Sequence, residues 1–435
     1  MRNRFNNWWS YTVFHLSSHK GLFLAILVDI VVLIYTVVDD YYKSISTPKV
    51  ILTMVIITKL FLIWQIYGFF KQRLDIYKNV DPGGEGKYYF PESSDKYRVA
   101  DELIENYSYS IDKDYPILRN HNVDAFLLNE SKTISISVQR EDGRKITNIK
   151  KYFSHYESTL LYFLNKKWKH SNYMDGEFVN EKKICFTSEP SFENNSCKFY
   201  ICPGQYYYGY MTNAIYCKSI TSNNFETKAP WNCENHKIDM YENSSFSDHI
   251  GVSTLAVFVE NNQRKVLAFQ QSSSAGKSAR QLCPTGSGSM DWADLKSTGN
   301  DDFKKTIITA VERELREECK ISKRKWEEIK KKEETKIIAY YRDMRFGGKP
   351  EFCCVTEIGG LFKDFKDLLD PNEKELSNTI EEVLLNEEGW TKLLQKKDEN
   401  EEHMEPSLAL KVNFKLAMDY YKELDKKREA NPLIS

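Results

Sequence analysis

The chain is 435 residues long, carries 61 Lys and Arg against 62 Asp and Glu, and is 14% aromatic. That length allows two or three domains of roughly 150 residues each. A formal charge of -1 excludes a global basic field for nucleic acid, so any nucleotide contact needs a local site; the aromatic content excludes a largely disordered chain.

Two apolar runs open the sequence. Residues 21-38 (GLFLAILVDIVVLIYTVV) are broken only by Asp29, and residues 50-70 (VILTMVIITKLFLIWQIYGFF) only by Lys59. Each is long enough to cross a hydrocarbon core of about 30 Å as a helix. No small-residue cleavage site follows the first run, so residues 1-74 read as a two-helix transmembrane hairpin rather than a signal peptide. Arg2, Arg4 and Lys20 precede the first span, and Lys71 and Arg73 follow the second. The positive-inside rule then puts both termini in the cytoplasm. With the turn centred between residues 44 and 45, Asp29 is 15.5 and Lys59 14.5 residues away, so the two charges reach matched depth. A lone charge there costs about 2.5 to 3.5 kcal/mol, which favours pairing. The pair either fixes helix packing or serves assembly and a polar path through the bilayer.

Residues 75-247 are expected to form an accessory α+β region, either a sensor or an extended part of the downstream fold. Ser94 to Tyr107 has helical spacing, while Val123 to Asn129 and Thr133 to Arg140 alternate like paired strands. Ile149 to Trp168 reads as an amphipathic helix. Lys198 to Ile201 and Tyr206 to Met211 read as short aromatic strands, and GQYYYGY (204-210) either as an aromatic core strand or as a surface that stacks on a nucleobase. Nine cysteines are scattered without a CxxC pair, which suits reduced thiols in a cytoplasmic domain better than a zinc site.

From residue 248 the pattern sharpens. Gly251 to Glu260 and Lys265 to Gln270 predict a β-hairpin around Asn261-Asn262, and CPTGSGSMDW (283-292) is a glycine- and serine-rich loop. Phe303 to Cys319 predicts a helix capped by Asn300, Asp301 or Asp302. On it, Glu314, Glu317 and Glu318 share a face at i, i+3 and i+4, beside an apolar stripe of Ile308, Val311, Leu315 and Cys319. Such carboxylates repel unless something compensates, and a divalent cation such as Mg²⁺, held by few carboxylates and substrate phosphates, would do so. Arg313 can orient one of them through a bidentate bond. A solvated charged face is the plainer alternative. Lys336 to Arg345 and Glu351 to Ile358 predict strands around the turn FGGKP (346-350).

The segment Arg313-Glu314-Leu315-x-Glu317-Glu318 resembles the Nudix hydrolase box, G-x5-E-x7-R-E-U-x-E-E-x-G-U with U aliphatic. Counted from Gly299, Lys305 replaces the first glutamate and Lys320 the last glycine. In a second registration Gly288 is the box glycine, Asp291 replaces an acid of the loop, about ten residues are inserted, and Asp301 or Asp302 supplies the missing carboxylate. The resemblance covers about residues 248-425. It implies an α/β/α sandwich with a mixed sheet over 248-435, catalytic Arg313, Glu314, Glu317 and Glu318, the three glutamates as Mg²⁺ ligands, and nucleotide contacts from Gly286, Gly288 and Lys349.

A two-span anchor joined to such a domain resembles, in domain order, the membrane-anchored Nudix effectors of CBASS, bacterial anti-phage systems that signal with cyclic oligonucleotides. That resemblance implies a homo-oligomeric effector in the lipid bilayer of the bacterial inner membrane, responding to a cyclic nucleotide from a synthase it need not touch, and stopping phage replication by disrupting the membrane or host nucleotide metabolism. The alternative is a tethered Nudix hydrolase that cleaves a nucleoside diphosphate derivative.

Overall fold

A computed structural model of the protein describes residues 67, 90-91, 96-109, 115-139, 182-193, 195-218, 221-222, 225-226, 236-270, 281-298, 302-319, 321, 324, 326-327, 334-358, 380-396 and 404-430. Asp29, Lys59, both predicted spans (Tyr67 apart) and the predicted helix 149-168 lie outside them. No helix among the described residues is long and apolar enough to cross a membrane. The chain divides into two compact units, one of 1-89, 147-179 and 218-230, the other of 90-146, 180-217 and 231-435. In the first, Thr221–Ser222 and Phe225–Glu226 pair antiparallel. The second contains the main sheet.

Its strands, in chain order, are β1 (Ser108–Tyr109), β2 (Ile117–Arg119), β3 (Thr133–Val138), β4 (Lys182–Glu193), β5 (Ser196–Gln205), β6 (Gly251–Glu260), β7 (Gln263–Gln270), β8 (Leu282–Pro284), β9 (Gly286–Ser289), β10 (Glu334–Asp343), β11 (Lys349–Glu357) and β12 (Ile380–Leu384). The main helices are α1 (His121–Leu127), α2 (Tyr206–Met211), α3 (Trp292–Thr298), α4 (Phe303–Glu318), α5 (Glu387–Leu394) and α6 (Leu408–Ala430).

Nine strands make one mixed sheet, ordered β1-β2-β10-β11-β6-β7-β8, with β9 on β6 and β12 on β7. β11 and β6 run parallel, Glu351 beside Gly251, while β6 and β7 form an antiparallel hairpin. Its turn is Asn261-Asn262, with φ of 50° and 61°. Both values are left-handed, as a two-residue hairpin turn of the right twist requires.

Alternation along β6 sorts the two faces. Ala256 and Phe258 pack with Leu267, Phe269, Leu315 and Cys319, so α4 covers one face. Leu255 and Val257 pack with Val266, Ala268, Leu410, Phe414 and Ala417, so α6 covers the other. Burying a side chain such as Leu315 is worth about 2 kcal/mol. Polar contacts fix the register of α6: Arg264 forks onto Asp425 at 2.6 and 2.8 Å, and the Tyr421 hydroxyl donates to Glu357 at 2.9 Å.

The earlier segments depart from their sequence reading. Residues 123-129 do not pair as a strand; most of them belong to α1, because the Asn120 side chain accepts the N–H groups of Asn122 and Val123 and caps a helix. Tyr206 to Met211 is also helical, not a strand. Of Ser94 to Tyr107, only Asp101–Ile104 is α-helical among the described residues. β3 pairs in parallel with β5, which pairs antiparallel with β4, making a separate three-stranded sheet. The segment before residue 248 joins the main sheet directly, through β2 on β10. The boundary expected at 247/248 therefore falls inside one compact unit.

A buried network ties these parts together. Arg342, wholly buried, donates to Glu189 at 2.7 Å and to the carbonyls of Gly348 and Asp239 at 3.0 and 2.7 Å. The Tyr107 hydroxyl donates to the second Glu189 oxygen at 2.5 Å. Pairing the charge and engaging all three of its nitrogens is what makes its burial tolerable.

Candidate functional site

The site grows from the contact of α4 with β9. A methyl group on Gly286 would lie 2.7 Å from the Leu315 Cα, so only glycine lets the helix axis come this close to the strand. At that spacing the Ser287 N–H reaches Glu318 Oε2 at 2.9 Å, and the Ser287 hydroxyl approaches Oε1 at 3.4 Å. A methyl group on Gly288 would overlap the Glu314 carboxylate. Gly286, Gly288, Glu314 and Glu318 are thus brought together, one strand against one helix face.

Arg313 is the hub. Its Nε and Nη2 each donate to Asp294 at 3.0 Å, Nη2 also to the Ser289 carbonyl at 2.9 Å, and Nη1 to Glu314 at 2.8 Å. Asp291 lies 3.4 Å from Nη2. Asp294 in turn accepts the Asp291 N–H at 2.7 Å, which fixes the first turn of α3. Burial works against the Arg313 charge, but Asp294 and Glu314 outweigh it and hold the guanidinium above its ordinary value. The fork expected to hold one of the glutamates thus closes on Asp294 instead, and Glu314 receives a single hydrogen bond from Arg313.

Burial raises the Glu314 carboxyl above the usual range, against the pull of Arg313. Burial raises Glu318 further, and the charge of Glu314 adds to it, while the Ser287 N–H opposes it. The Glu314 charge therefore acts on Glu318, while Glu314 itself is pulled down by Arg313 and Lys183. Glu317 goes elsewhere: its side chain is 49% exposed and pairs with Arg316 at 2.7 Å, with Arg313 at 3.4 Å. Among the described residues no three His, Cys, Asp or Glu side chains are gathered as metal ligands. Arg313 draws Glu314 aside, Arg316 draws Glu317 to the rim, and Ser287 holds Glu318.

Lys305 stands apart, 71% exposed and 3.5 Å from Asp302. Asp302 is the helix cap, accepting the Lys305 N–H at 3.3 Å, and Asp301 lies outside the described residues. Neither role matches the carboxylate sought for the box. Asp294 does: it follows Gly288 after five residues and is buried on Arg313. Sequence reading missed it although counting six places from Gly288 would have reached it. Lys349 is not brought to this site. It pairs with Glu351 beneath Gly251, and β11 alternation puts both on the face that carries Cys353, Val355 and α6.

Lys183 was also missed, and no local signal marks it. It comes from β4, 108 residues before Asp291, with which its ammonium pairs. No known family model and no curated protein matches the chain.

Proposed function

We propose that residues 248-435 act as a Nudix-type domain that grips the diphosphate of a nucleotide with the help of a divalent cation, and that the chain is a membrane-anchored effector of a CBASS antiviral system. The observation that carries the first part is the facing of Glu314 and Glu318 on the glycine strand, with Arg313 locked behind them by Asp294. Two partly buried carboxylates, Glu314 adding its charge to the upward shift of Glu318, suit a hard divalent ion, and Mg²⁺ in particular uses one or two carboxylates plus phosphate oxygens. Glu314 and Glu318 would hold it, with Glu317 at the rim. When bound, the ion would neutralise phosphate charge and polarise a water or a phosphoryl oxygen. The chain's own part is to orient: Arg313 fixes Glu314, and the Ser287 N–H fixes Glu318.

The effector part rests on domain order, a two-pass anchor at 1-74 followed by this domain. Ligand-driven clustering of homo-oligomers would concentrate the hairpins in the bilayer. The test is growth of bacteria expressing the chain with or without a cyclic-oligonucleotide synthase. Arrest only when the synthase is active is expected; arrest in both, or in neither, sinks the effector reading.

One observation favours the second reading, hydrolysis of a nucleoside diphosphate derivative. Asp294 stands at the spacing from Gly288 that the box gives its first glutamate, and it pairs with Arg313. Mg²⁺-dependent turnover by the purified chain, lost in Glu318→Gln, with no growth arrest in cells, would support it over the first.

A further inference from the structure

We propose that Lys183 is a positioning residue that occupies Asp291 and so makes cation retention at Glu314 and Glu318 depend on a phosphate-bearing ligand. The inference rests on the reading of those glutamates as cation ligands. Lys183 arrives from the three-stranded sheet, not from the main one. Its place is fixed by backbone: Lys183 bridges antiparallel to Asp291, and the Ile184 N–H donates to the Met290 carbonyl at 3.0 Å. The side chain is 5% exposed, and its ammonium lies 5.2 Å from the Tyr206 ring centre.

Both Asp291 oxygens then face cations, Oδ1 the Lys183 ammonium and Oδ2 the Arg313 guanidinium at 3.4 Å. A buried pair of this kind is weak grounds for stability, since an apolar replacement of similar volume often does as well. Its electrostatic consequence is larger. Asp291, Asp294, Glu314 and Glu318 stand against Lys183 and Arg313, four negative and two positive charges, a formal -2. Without Lys183 the balance is -3, and Asp291 Oδ1 loses this cation while Oδ2 still faces Arg313. Charges inside such an enclosed site act more strongly than in water. With the lysine present, a bare divalent ion meets two carboxylates, and phosphate oxygens must complete its shell.

The experiment is calorimetric titration of the detergent-solubilised full chain with MnCl₂, alone and with saturating inorganic pyrophosphate. The wild type is expected to bind Mn²⁺ weakly alone and about tenfold tighter with pyrophosphate. Lys183→Met should raise the affinity for Mn²⁺ alone by about fivefold and shrink the pyrophosphate effect. Adding Asp291→Asn to it should return the metal affinity toward wild type, and Lys183→Arg should match wild type. A purely structural lysine predicts instead that both affinities fall together in Lys183→Met. That result, or unchanged Mn²⁺ binding, overturns the proposal. Should Lys183→Met fail to fold, Asp291→Asn alone decides: it should weaken Mn²⁺ binding, and equal or tighter binding overturns the proposal. A wild type that binds Mn²⁺ in neither condition defeats the underlying cation reading as well.

Discussion

Asp294 takes two nitrogens of Arg313, each at 3.0 Å, across 19 positions of sequence. This pairing, rather than any contact of Lys305, braces α3 against α4. Removing one partner of a buried pair leaves the other charge uncompensated, at about 3 kcal/mol or more. Asp294→Asn keeps the shape and removes the charge, and Arg313 retains Glu314, so a loss of about 2 to 3 kcal/mol is expected by urea denaturation. Lys305→Ala should stay within about 0.5 kcal/mol, as an exposed position does. Equal losses in the two variants would contradict the assignment.

The two glycines of β9 should respond differently to alanine. At Gly286 the added methyl meets helix backbone, the Leu315 Cα at 2.7 Å, which cannot swing away. Gly286→Ala is expected to cost about 1 to 3 kcal/mol, the usual range for overpacking. At Gly288 the obstacle is the Glu314 carboxylate, the end of a flexible side chain. Gly288→Ala should therefore fold with a smaller loss but bind Mn²⁺ with pyrophosphate less tightly than wild type. The paired readings of melting temperature and calorimetry separate the two effects.

Asp29 and Lys59 give a prediction that rests on the proposed membrane hairpin, with the two charges at matched depth, and on the proposed effector role. Replacing both by leucine removes two intramembrane charges, each costing about 2.5 to 3.5 kcal/mol when alone, so insertion should proceed normally. If the pair serves assembly or a polar path, the double variant should insert and yet fail to arrest growth when the cyclic-nucleotide signal is present. Full arrest would leave the pair a packing role.

What the sequence revealed follows the range of the interactions involved. The hairpin of β6 and β7 was legible because alternation and Asn261-Asn262 are local, and the start of α4 because Asp302 caps it from the adjoining position. The acidic triplet was legible as a face but not as three fates, since Arg313, Arg316 and Ser287 each claim a different glutamate. Val123 to Asn129 alternates like a strand, yet the Asn120 cap and a long-range contact of Asp124 override that pattern. Lys183 could not be seen at all, because its place depends on strand β4 crossing the end of a distant sheet.

Asp124 shows such a long-range dependence in testable form. Its Oδ1 accepts the Tyr340 N–H at 2.7 Å, and its Oδ2 the Arg119 guanidinium at 2.6 Å, so one carboxylate docks α1 onto β10 and β2. Asp124→Ala strands a buried N–H, at about 1 to 3 kcal/mol, and should lower the urea midpoint. Asp124→Asn keeps the acceptor and should cost less. The pH dependence has a definite sign. Burial raises the Asp124 carboxyl above its ordinary 3.8, against the pull of Arg119. A raised carboxyl binds its proton more tightly in the folded chain than in the unfolded one, so its contribution is fullest below 3.8 and is lost as pH rises through the folded value. Wild type should therefore gain stability relative to Asp124→Asn as pH is lowered through that raised range. A gap between the two proteins that stays constant, or moves in the opposite direction, would mean that Arg119 dominates and the carboxylate is held ionised.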